Sequence, residues 1–197
     1  MARATPLPPD ERRAAIITAT VPLLRERGRE VSTRAIAEAA GIAEGTIFRV
    51  FASKDELIDA VLDDAFDPTT SYRALGAIDP SLDLEVRVGS AVAILQERLD
   101  RVFGLVHALG FRQPPANPGR HRAPDRALET TALVAVLGPD AKRLKMPADR
   151  AARMLSALVL ALSHPILRGD CGDHSPSDPL EITDVFLHGI ISDKEGR

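Results

Sequence analysis

Apolar residues recur along most of the chain at intervals of three and four residues, which is the spacing of one face of an α-helix. The first such stripe consists of Ala14, Ile17, Val21 and Leu24. A Pro-Asp-Glu start near residue 9 and Gly28 after the stripe are typical helix boundaries. We therefore predict a first helix between these points, with a local kink at Pro22 because proline removes one backbone hydrogen bond.

A longer stripe of the same spacing runs through the second half of the chain. It consists of Leu84, Val88, Ala91, Leu95, Leu99, Val102 and Val106. A stretch rich in Pro and Gly at 112–124 predicts a loop, and further helices are expected over about 125–137, 147–168 and 179–191. Because no useful length of alternating apolar and polar residues occurs, the pattern predicts an all-α fold.

The stretch from Ser32 to Val61 predicts two helices of about two turns each, separated by Gly41, and a third helix directly after them. Helices shorter than about 12–15 residues are marginal in water, so neighbours must hold this pair. If the second short helix begins at Glu44 and turns by about 100° per residue, Ile47 and Phe51 face inward. The opposite side then carries Gly45, Thr46 and Arg49.

This arrangement is typical of a helix-turn-helix, whose second helix presents side chains to the major groove of DNA. A plain helical hairpin within a bundle has the same outline, but two details favour DNA binding. Gly45 inside a helix costs about 1 kcal/mol relative to Ala, which a close approach of the backbone to DNA would explain. Lys54 begins the next helix, where its ammonium and free backbone N–H groups can face a phosphate.

Residues 10–66 resemble the DNA-binding domain of the tetracycline-repressor-like (tetR) family of bacterial regulators. The order and spacing of three runs carry the resemblance, namely TRAIAEAAGI, GTIFRVF and SKDEL. The resemblance implies a two-fold dimer and a helix-turn-helix at about 32–51. It also implies that residues 70–197 form a helical C-terminal domain for inducer binding and dimerisation.

The resemblance further implies roles for individual residues of the motif. Thr33, Phe48 and Lys54 match positions that contact phosphate, and the recognition-helix face matches at Gly45, Thr46 and Arg49. The complete predicted DNA-binding set is Thr33, Arg34, Glu44, Gly45, Thr46, Phe48, Arg49 and Lys54.

Three positions depart from the family pattern. Phe48 replaces a usual Tyr and loses a hydroxyl donor to phosphate, and Ala43 replaces a Ser that commonly caps the recognition helix. Glu44 replaces a frequent Lys and would repel phosphate, although a carboxylate accepts a hydrogen bond from cytosine N4. These departures are expected to reduce DNA affinity without affecting the fold.

A pocket for an unknown inducer is implied by the same resemblance. Candidate contacts are the residues expected to face the bundle interior: Leu95, Leu99, Val102, Phe103, His107, Phe111, Met154, Leu158 and His164. Core packing explains most of them equally well. His107 and His164, if buried, would need hydrogen-bond partners and would form polar points in an apolar cavity. The inducer is therefore expected to be small and largely apolar.

The two last predicted helices carry more apolar surface than one bundle of this length can hide. We expect their outer face to meet a second copy in a four-helix interface, which is closed because it is isologous. The predicted homodimer interface comprises Ala151, Leu155, Leu158, Val159, Leu162, Ile182, Val185, Phe186 and Ile190.

Charge and composition narrow the class of protein. The formal net charge is −3, and residues 1–60 contain nine basic and nine acidic residues, so only local placement of charge supports DNA binding. The single Cys171 suits a reducing cytosol, and whether it has a redox role stays open. Without a signal-peptide core or an apolar run of membrane-spanning length, a cytoplasmic protein with no membrane partner is expected.

The five histidines fit no compact metal-ligand spacing, and no nucleophile elbow or glycine-rich phosphate loop occurs. We therefore expect no metal, no cofactor and no enzymatic activity. The favoured function is a ligand-responsive transcriptional regulator, most often a repressor that releases a palindromic operator in double-stranded DNA. The alternative is a helical dimeric binding module whose helix-turn-helix no longer reads DNA, which Glu44 and Phe48 favour. The operator, the inducer and the direction of regulation stay open.

Overall fold

The computed structural model of the chain describes residues 8–110, 126–164 and 178–190. Across these ranges it contains α-helices and short 3-10 segments and no β-strand, which confirms the all-α prediction. The helices are α1 (Pro9–Arg27), α2 (Thr33–Ala39), α3 (Glu44–Val50), α4 (Lys54–Phe66), α5 (Thr69–Gly76), α6 (Leu84–Leu109), α7 (Arg126–Leu137), α8 (Ala148–Ser163) and α9 (Pro179–Ile190). The 3-10 segments are Gly28–Glu30 and Gly138–Arg143. No helix in the described ranges is long and apolar enough to cross a bilayer.

The chain divides into two compact units, and α6 contributes to both. The first unit runs to Phe66 and includes the end of α6 from Gly104, whereas the second begins at Asp67 and includes α6 up to Phe103. Leu105 is fully buried in the apolar core of the first unit, and Leu109 packs against that core. A simple division of the sequence between residues 66 and 70 does not include this returning segment.

The inward face of α1 differs from the predicted stripe. Ile16 and Leu24 are buried with Thr20 between them, whereas Ala14 is exposed and Ile17 and Val21 are only partly buried. A threonine can occupy this core position because its hydroxyl donates to the Ile16 carbonyl at 2.7 Å. The helix continues through Pro22 as one element.

The end of α1 requires a glycine. Gly28 has a φ of +57°, and a Cβ added there would lie 2.5 Å from the Ala108 carbonyl oxygen. Both the backbone conformation and the lack of space therefore exclude larger residues at the point where α1 meets the end of α6.

The second unit is a helical bundle whose core draws buried residues from α5 to α9. Its buried members on α8 and α9 are Ala151, Ala152, Leu155, Val159, Ile182, Phe186 and Leu187. Arg87 of α6 is 1% exposed and pairs with Asp140, which also accepts from Arg143 at 2.9 Å. This buried ion pair joins the Gly138–Arg143 segment to α6.

Candidate nucleic-acid interface and ligand cleft

The helix-turn-helix geometry arises from local signals in the sequence. Ser32 caps α2, because its hydroxyl oxygen accepts a hydrogen bond from the Ala35 amide at 3.2 Å. Gly41 turns the chain with a φ of +65°, a conformation that L side chains rarely adopt. Ile36 and Ile47 are fully buried, so α2 and α3 share one apolar contact surface.

Helix α3 begins at Glu44, and the residues that it buries and exposes follow the pattern expected from sequence. Ile47 and Phe51 are buried, whereas Gly45 and Arg49 are exposed and Thr46 is half-buried. Phe48 is 50% exposed. No atom outside the immediate backbone lies within 4 Å of the place that a Gly45 Cβ would occupy. The fold itself therefore does not require glycine at this position.

Two residues of the predicted DNA-binding set contact each other. The Thr33 hydroxyl of α2 donates to Oε1 of Glu44, the first residue of α3, at 2.5 Å. Ala43 provides no side-chain cap to α3, so this bond is a side-chain link between the two helices at that end. A hydroxyl has a single proton, and here Glu44 accepts it. A phosphate at Thr33 would have to compete with the Glu44 carboxylate.

Lys54 is also committed to the protein itself. Its ammonium donates to the Arg29 carbonyl oxygen at 2.5 Å, and the Arg29 guanidinium pairs with Asp55 at 3.2 Å. An ammonium has three protons, so Lys54 retains donors for a phosphate while it holds the Gly28–Glu30 segment against the start of α4. Arg34 is exposed on α2.

The start of α4 satisfies part of its own backbone. The Ser53 hydroxyl accepts from the Glu56 amide at 3.1 Å, and the Glu56 carboxylate accepts from the Ala52 amide at 2.6 Å. This reciprocal arrangement resembles a capping box. Fewer free N–H groups thus face outward here than the sequence alone predicts, and Lys54 itself is the main feature of this end that can attract phosphate.

The second unit contains a cleft of about 380 Å³ between α6, the first turn of α7 and α8. Its lining residues are Leu95, Arg98, Leu99, Glu129, Thr130, Arg153, Ser156, Ala157, Val159 and Leu160. This volume lies within the usual range of ligand pockets, about 300–1,000 Å³.

A polar network forms one part of the cleft wall. Arg98 donates to Glu129 Oε2 at 3.1 Å, and the Ser156 hydroxyl donates to Glu129 Oε1 at 2.5 Å. The Arg98 guanidinium carbon also lies 5.8 Å from the centroid of the Tyr72 ring. Arg98 is only 7% exposed, and within the described part of the chain its Nε atom is buried without a hydrogen-bond partner.

Some of the predicted ligand contacts meet at this cleft, and others lie elsewhere. Leu95 and Leu99 line it. The Phe103 and His164 rings contact each other edge to face, with centroids 4.9 Å apart. The remaining candidates are half-buried (Val102, Leu158), exposed (His107, Met154) or outside the described residues (Phe111). His107 is therefore not the buried polar point that the sequence suggested, because α6 turns Leu105 and Leu109 inward around it.

The polar residues of the cleft were not anticipated from sequence. The position of Arg98 in the sequence does indicate a special role. It follows Leu95 by three residues on an inward stripe, where an apolar residue is expected. Glu129 and Ser156 carry no comparable signal, because their positions matter only once α7 and α8 pack on α6.

The predicted dimer-interface residues fall into two groups. Five of them are buried within the protomer itself: Ala151, Leu155, Val159, Ile182 and Phe186. Val185 is 63% exposed, Leu158 and Leu162 are half-buried, and the Ile190 side chain lies outside the described set. The large apolar side chains that α8 and α9 do expose are Met154, Leu160, Leu180 and Val185.

A second groove, of about 490 Å³, lies between α6 and α9. It is lined by Glu85, Val86, Leu180, Thr183, Asp184, Leu187 and His188. Two of these, Val86 and Leu180, are exposed apolar residues flanked by acidic side chains.

Comparison with known proteins gives consistent results. Residues 16–61 match the family model described as bacterial regulatory proteins, tetR family. The HTH-type transcriptional repressor Rv3405c of Mycobacterium tuberculosis is 34% identical over 119 residues, 54% of this chain and 63% of that protein. The chain thus spans less than two thirds of this relative.

Solved structures share the fold at lower identity. A transcriptional regulator from Rhodococcus sp. Rha1 is 21% identical with a TM-score of 0.61, over 90% of this chain and 97% of that one. NalD, the secondary repressor of the MexAB-OprM multidrug efflux pump in Pseudomonas aeruginosa, is 21% identical with a TM-score of 0.55, over 94% and 100%. At these identities the likeness shows the fold. Residues 16–61 thus match the tetR family of bacterial regulatory proteins, and the rest of the chain shares its fold with the solved structures.

Proposed function

We propose that the protein is a ligand-responsive transcriptional repressor. As a homodimer it binds a palindromic operator in double-stranded DNA, and it releases the operator when a small molecule occupies the cleft between α6, α7 and α8. The N-terminal family match supports the DNA-binding part, and the names of Rv3405c and NalD as repressors support the direction of regulation.

The outer face of α3 is the observation that carries this proposal. Gly45 gives up helix stability although the fold leaves room for a side chain there, so an external partner explains the glycine better than packing does. Arg49 is exposed one turn further on the same face. A guanidinium so placed can donate to both acceptors of a guanine in the major groove.

The exposed apolar side chains of α8 and α9 support the homodimer. Met154 and Val185 lie on the two helices whose apolar surface predicts the dimer interface, and the protomer leaves them uncovered, whereas Leu160 lines the cleft. A two-fold contact would place the two copies of α3 about 34–36 Å apart, one turn of DNA, so that both enter the same side of the duplex.

The alternative function is a dimeric binding module that does not read DNA. The Thr33–Glu44 hydrogen bond favours it, because it places a carboxylate at the start of α3 and occupies a hydroxyl expected to contact phosphate.

Binding to the DNA upstream of the protein's own gene, measured by fluorescence anisotropy across a salt series, separates the two functions. For a repressor we expect affinity to fall steeply and linearly in a log–log plot against salt concentration. Arg49→Ala should reduce discrimination between the operator and scrambled DNA by about 1–3 kcal/mol. Arg150→Ala removes the same charge from an exposed position on α8 and is the matched control. Equal, weak binding of both DNAs by the wild-type protein would support the alternative.

A further inference from the structure

The charges lining the cleft do not balance. Arg98 and Arg153 contribute two positive charges to the lining and Glu129 one negative charge, and the second carboxylate nearby, Asp149, pairs with Arg153 from outside the lining. Both oxygens of Glu129 already accept hydrogen bonds, from Arg98 and from Ser156. In contrast, the buried Nε of Arg98 has no partner among the described residues. Within the lining, the N–H donors of two guanidinium groups therefore face a single carboxylate, and both oxygens of that carboxylate are already engaged.

The two guanidinium groups differ in how firmly they are held. Arg98 is buried and fixed between Glu129 and the Tyr72 ring. Arg153 lies at the rim, is 59% exposed in its side chain, and pairs with Asp149 one turn earlier on α8 at 2.8 Å. This hydrogen bond lowers the pKa of Asp149. Exposed pairs of this kind contribute little to stability, so Arg153 can turn to a new partner at little cost.

The rest of the lining is apolar. Leu95 and Leu99 come from α6, and Ala157 and Leu160 come from α8. A molecule that fills this space therefore needs an apolar body, and both arginines are among the residues that surround it.

From this arrangement we propose that the cleft selects a monoanionic amphiphile, an apolar molecule with one carboxylate, which Arg98 and Arg153 hold by charge-assisted hydrogen bonds. The charges of the lining residues and the ligand then balance, whereas a cationic ligand would add a third positive charge beside the two arginines. The inference rests on the proposed function in taking the cleft as the inducer site. It adds a specific charge to the largely apolar inducer expected from sequence.

Three probes with the same number of non-hydrogen atoms test the charge preference: 3-phenylpropanoate, the neutral and equally planar-ended 4-phenylbutan-2-one, and the cationic 4-phenylbutan-2-amine. Binding to the full-length protein without DNA is measured by titration calorimetry at pH 7. The carboxylate should bind about tenfold more tightly than the ketone, as charge-assisted hydrogen bonds predict, and the amine should bind most weakly. Equal binding of carboxylate and ketone, preference for the amine, or no binding of any probe to the folded protein would overturn the proposal.

Two variants with opposite expected effects on carboxylate affinity test whether the charge preference arises in the cleft. Arg153→Gln should weaken the carboxylate several-fold and leave the ketone unchanged. Glu129→Gln removes the competing carboxylate and should tighten 3-phenylpropanoate. Arg150→Gln is the matched control, since this exposed arginine lies one turn earlier on α8 and outside the lining. If Arg150→Gln weakened the carboxylate as much as Arg153→Gln does, bulk charge rather than the cleft would explain the preference.

Operator release is measured separately from binding. One outcome is that the carboxylate binds the variants with the expected order of affinities and still does not displace operator DNA. In that case the ligand class stands and the cleft's role as inducer site fails. If the protein binds an operator but no probe shows a charge preference, the ligand class fails while the regulator function stands.

Discussion

The single proton of the Thr33 hydroxyl has two possible acceptors, the Glu44 carboxylate and a DNA phosphate. In the free protein it goes to Glu44, at 2.5 Å. The family resemblance assigns Thr33 to phosphate, and it treats Glu44 separately, as a substitution that repels phosphate but can accept from cytosine N4. The contact joins these two assignments, because any change at Glu44 also changes what Thr33 can do.

We expect Glu44→Lys to tighten operator binding, because it replaces a repulsion by an attraction and releases the Thr33 hydroxyl. Competition binding at fixed salt measures the gain. In the Thr33→Val background the gain should be smaller, since no hydroxyl remains to be released. Identical gains in both backgrounds would show that the Thr33–Glu44 bond has no influence on DNA binding. Phe48→Tyr, which adds a hydroxyl at a half-exposed site, should tighten binding independently of Thr33.

Lys54 has a structural contact as well as an expected contact with DNA. Lys54→Met retains much of the side-chain length but removes both the bond to the Arg29 carbonyl and the positive charge. It should weaken binding to all DNA sequences alike and lower the salt slope by about one unit. Thermal denaturation of the same variant measures the structural part. Loss of stability with an unchanged salt slope would mean that Lys54 serves the fold and does not meet phosphate.

At the scale of single elements, two helical positions of the first unit are occupied by glycine for different physical reasons. Gly28 ends α1 with a positive φ and no space for a Cβ, whereas Gly45 lies within α3 with open space around it. The first glycine is required by the fold, and the second is explained by what approaches the helix from outside.

Alanine at these two positions should therefore have opposite effects on stability. Gly28→Ala should lower the free energy of unfolding by about 1–3 kcal/mol, the usual magnitude of a strained backbone. Gly45→Ala should raise it by up to about 1 kcal/mol through helix propensity and at the same time weaken operator binding. Urea unfolding and anisotropy titrations measure the two quantities. A Gly45→Ala protein that bound DNA as well as wild type would remove the main support for α3 as the reading helix.

Helix α8 is apolar on several sides, and these sides have different surroundings in the structure. Ala151, Leu155 and Val159 pack into the core of the second unit, while Met154, Ala157 and Leu160 remain outside it. One face of α8 thus packs within the protomer, Ala157 and Leu160 line the cleft, and Met154 is left available to a partner.

At the scale of the whole molecule, the proposed homodimer is best tested by substituting a residue that does not contribute to the core of the protomer. Val185 is 63% exposed on α9, whereas its neighbour Phe186 is 4% exposed and belongs to the core. Val185→Glu should give a folded monomer that no longer binds a palindromic operator with high affinity. Sedimentation velocity and circular dichroism measure assembly and folding.

Ala135→Glu introduces the same charge at an exposed position on α7 and is the control for Val185→Glu. A Val185→Glu protein that remained dimeric would place the interface elsewhere. Phe186→Glu is not a useful test of assembly, because a carboxylate at a buried core position would disrupt the protomer itself.

The sequence by itself determined the features that arise from neighbours along the chain. Helix type follows from apolar spacing, the cap of α2 from Ser32, the turn from Gly41, and the faces of α3 from a start at Glu44. The tertiary structure alone decided which apolar face of α8 turns inward, that Thr33 meets Glu44, and that Arg98, Glu129 and Ser156 join across three helices. The physical reason is that periodicity tells which residues share a face of one helix. The partner of that face, and of each polar group on it, is set only when separate helices pack together.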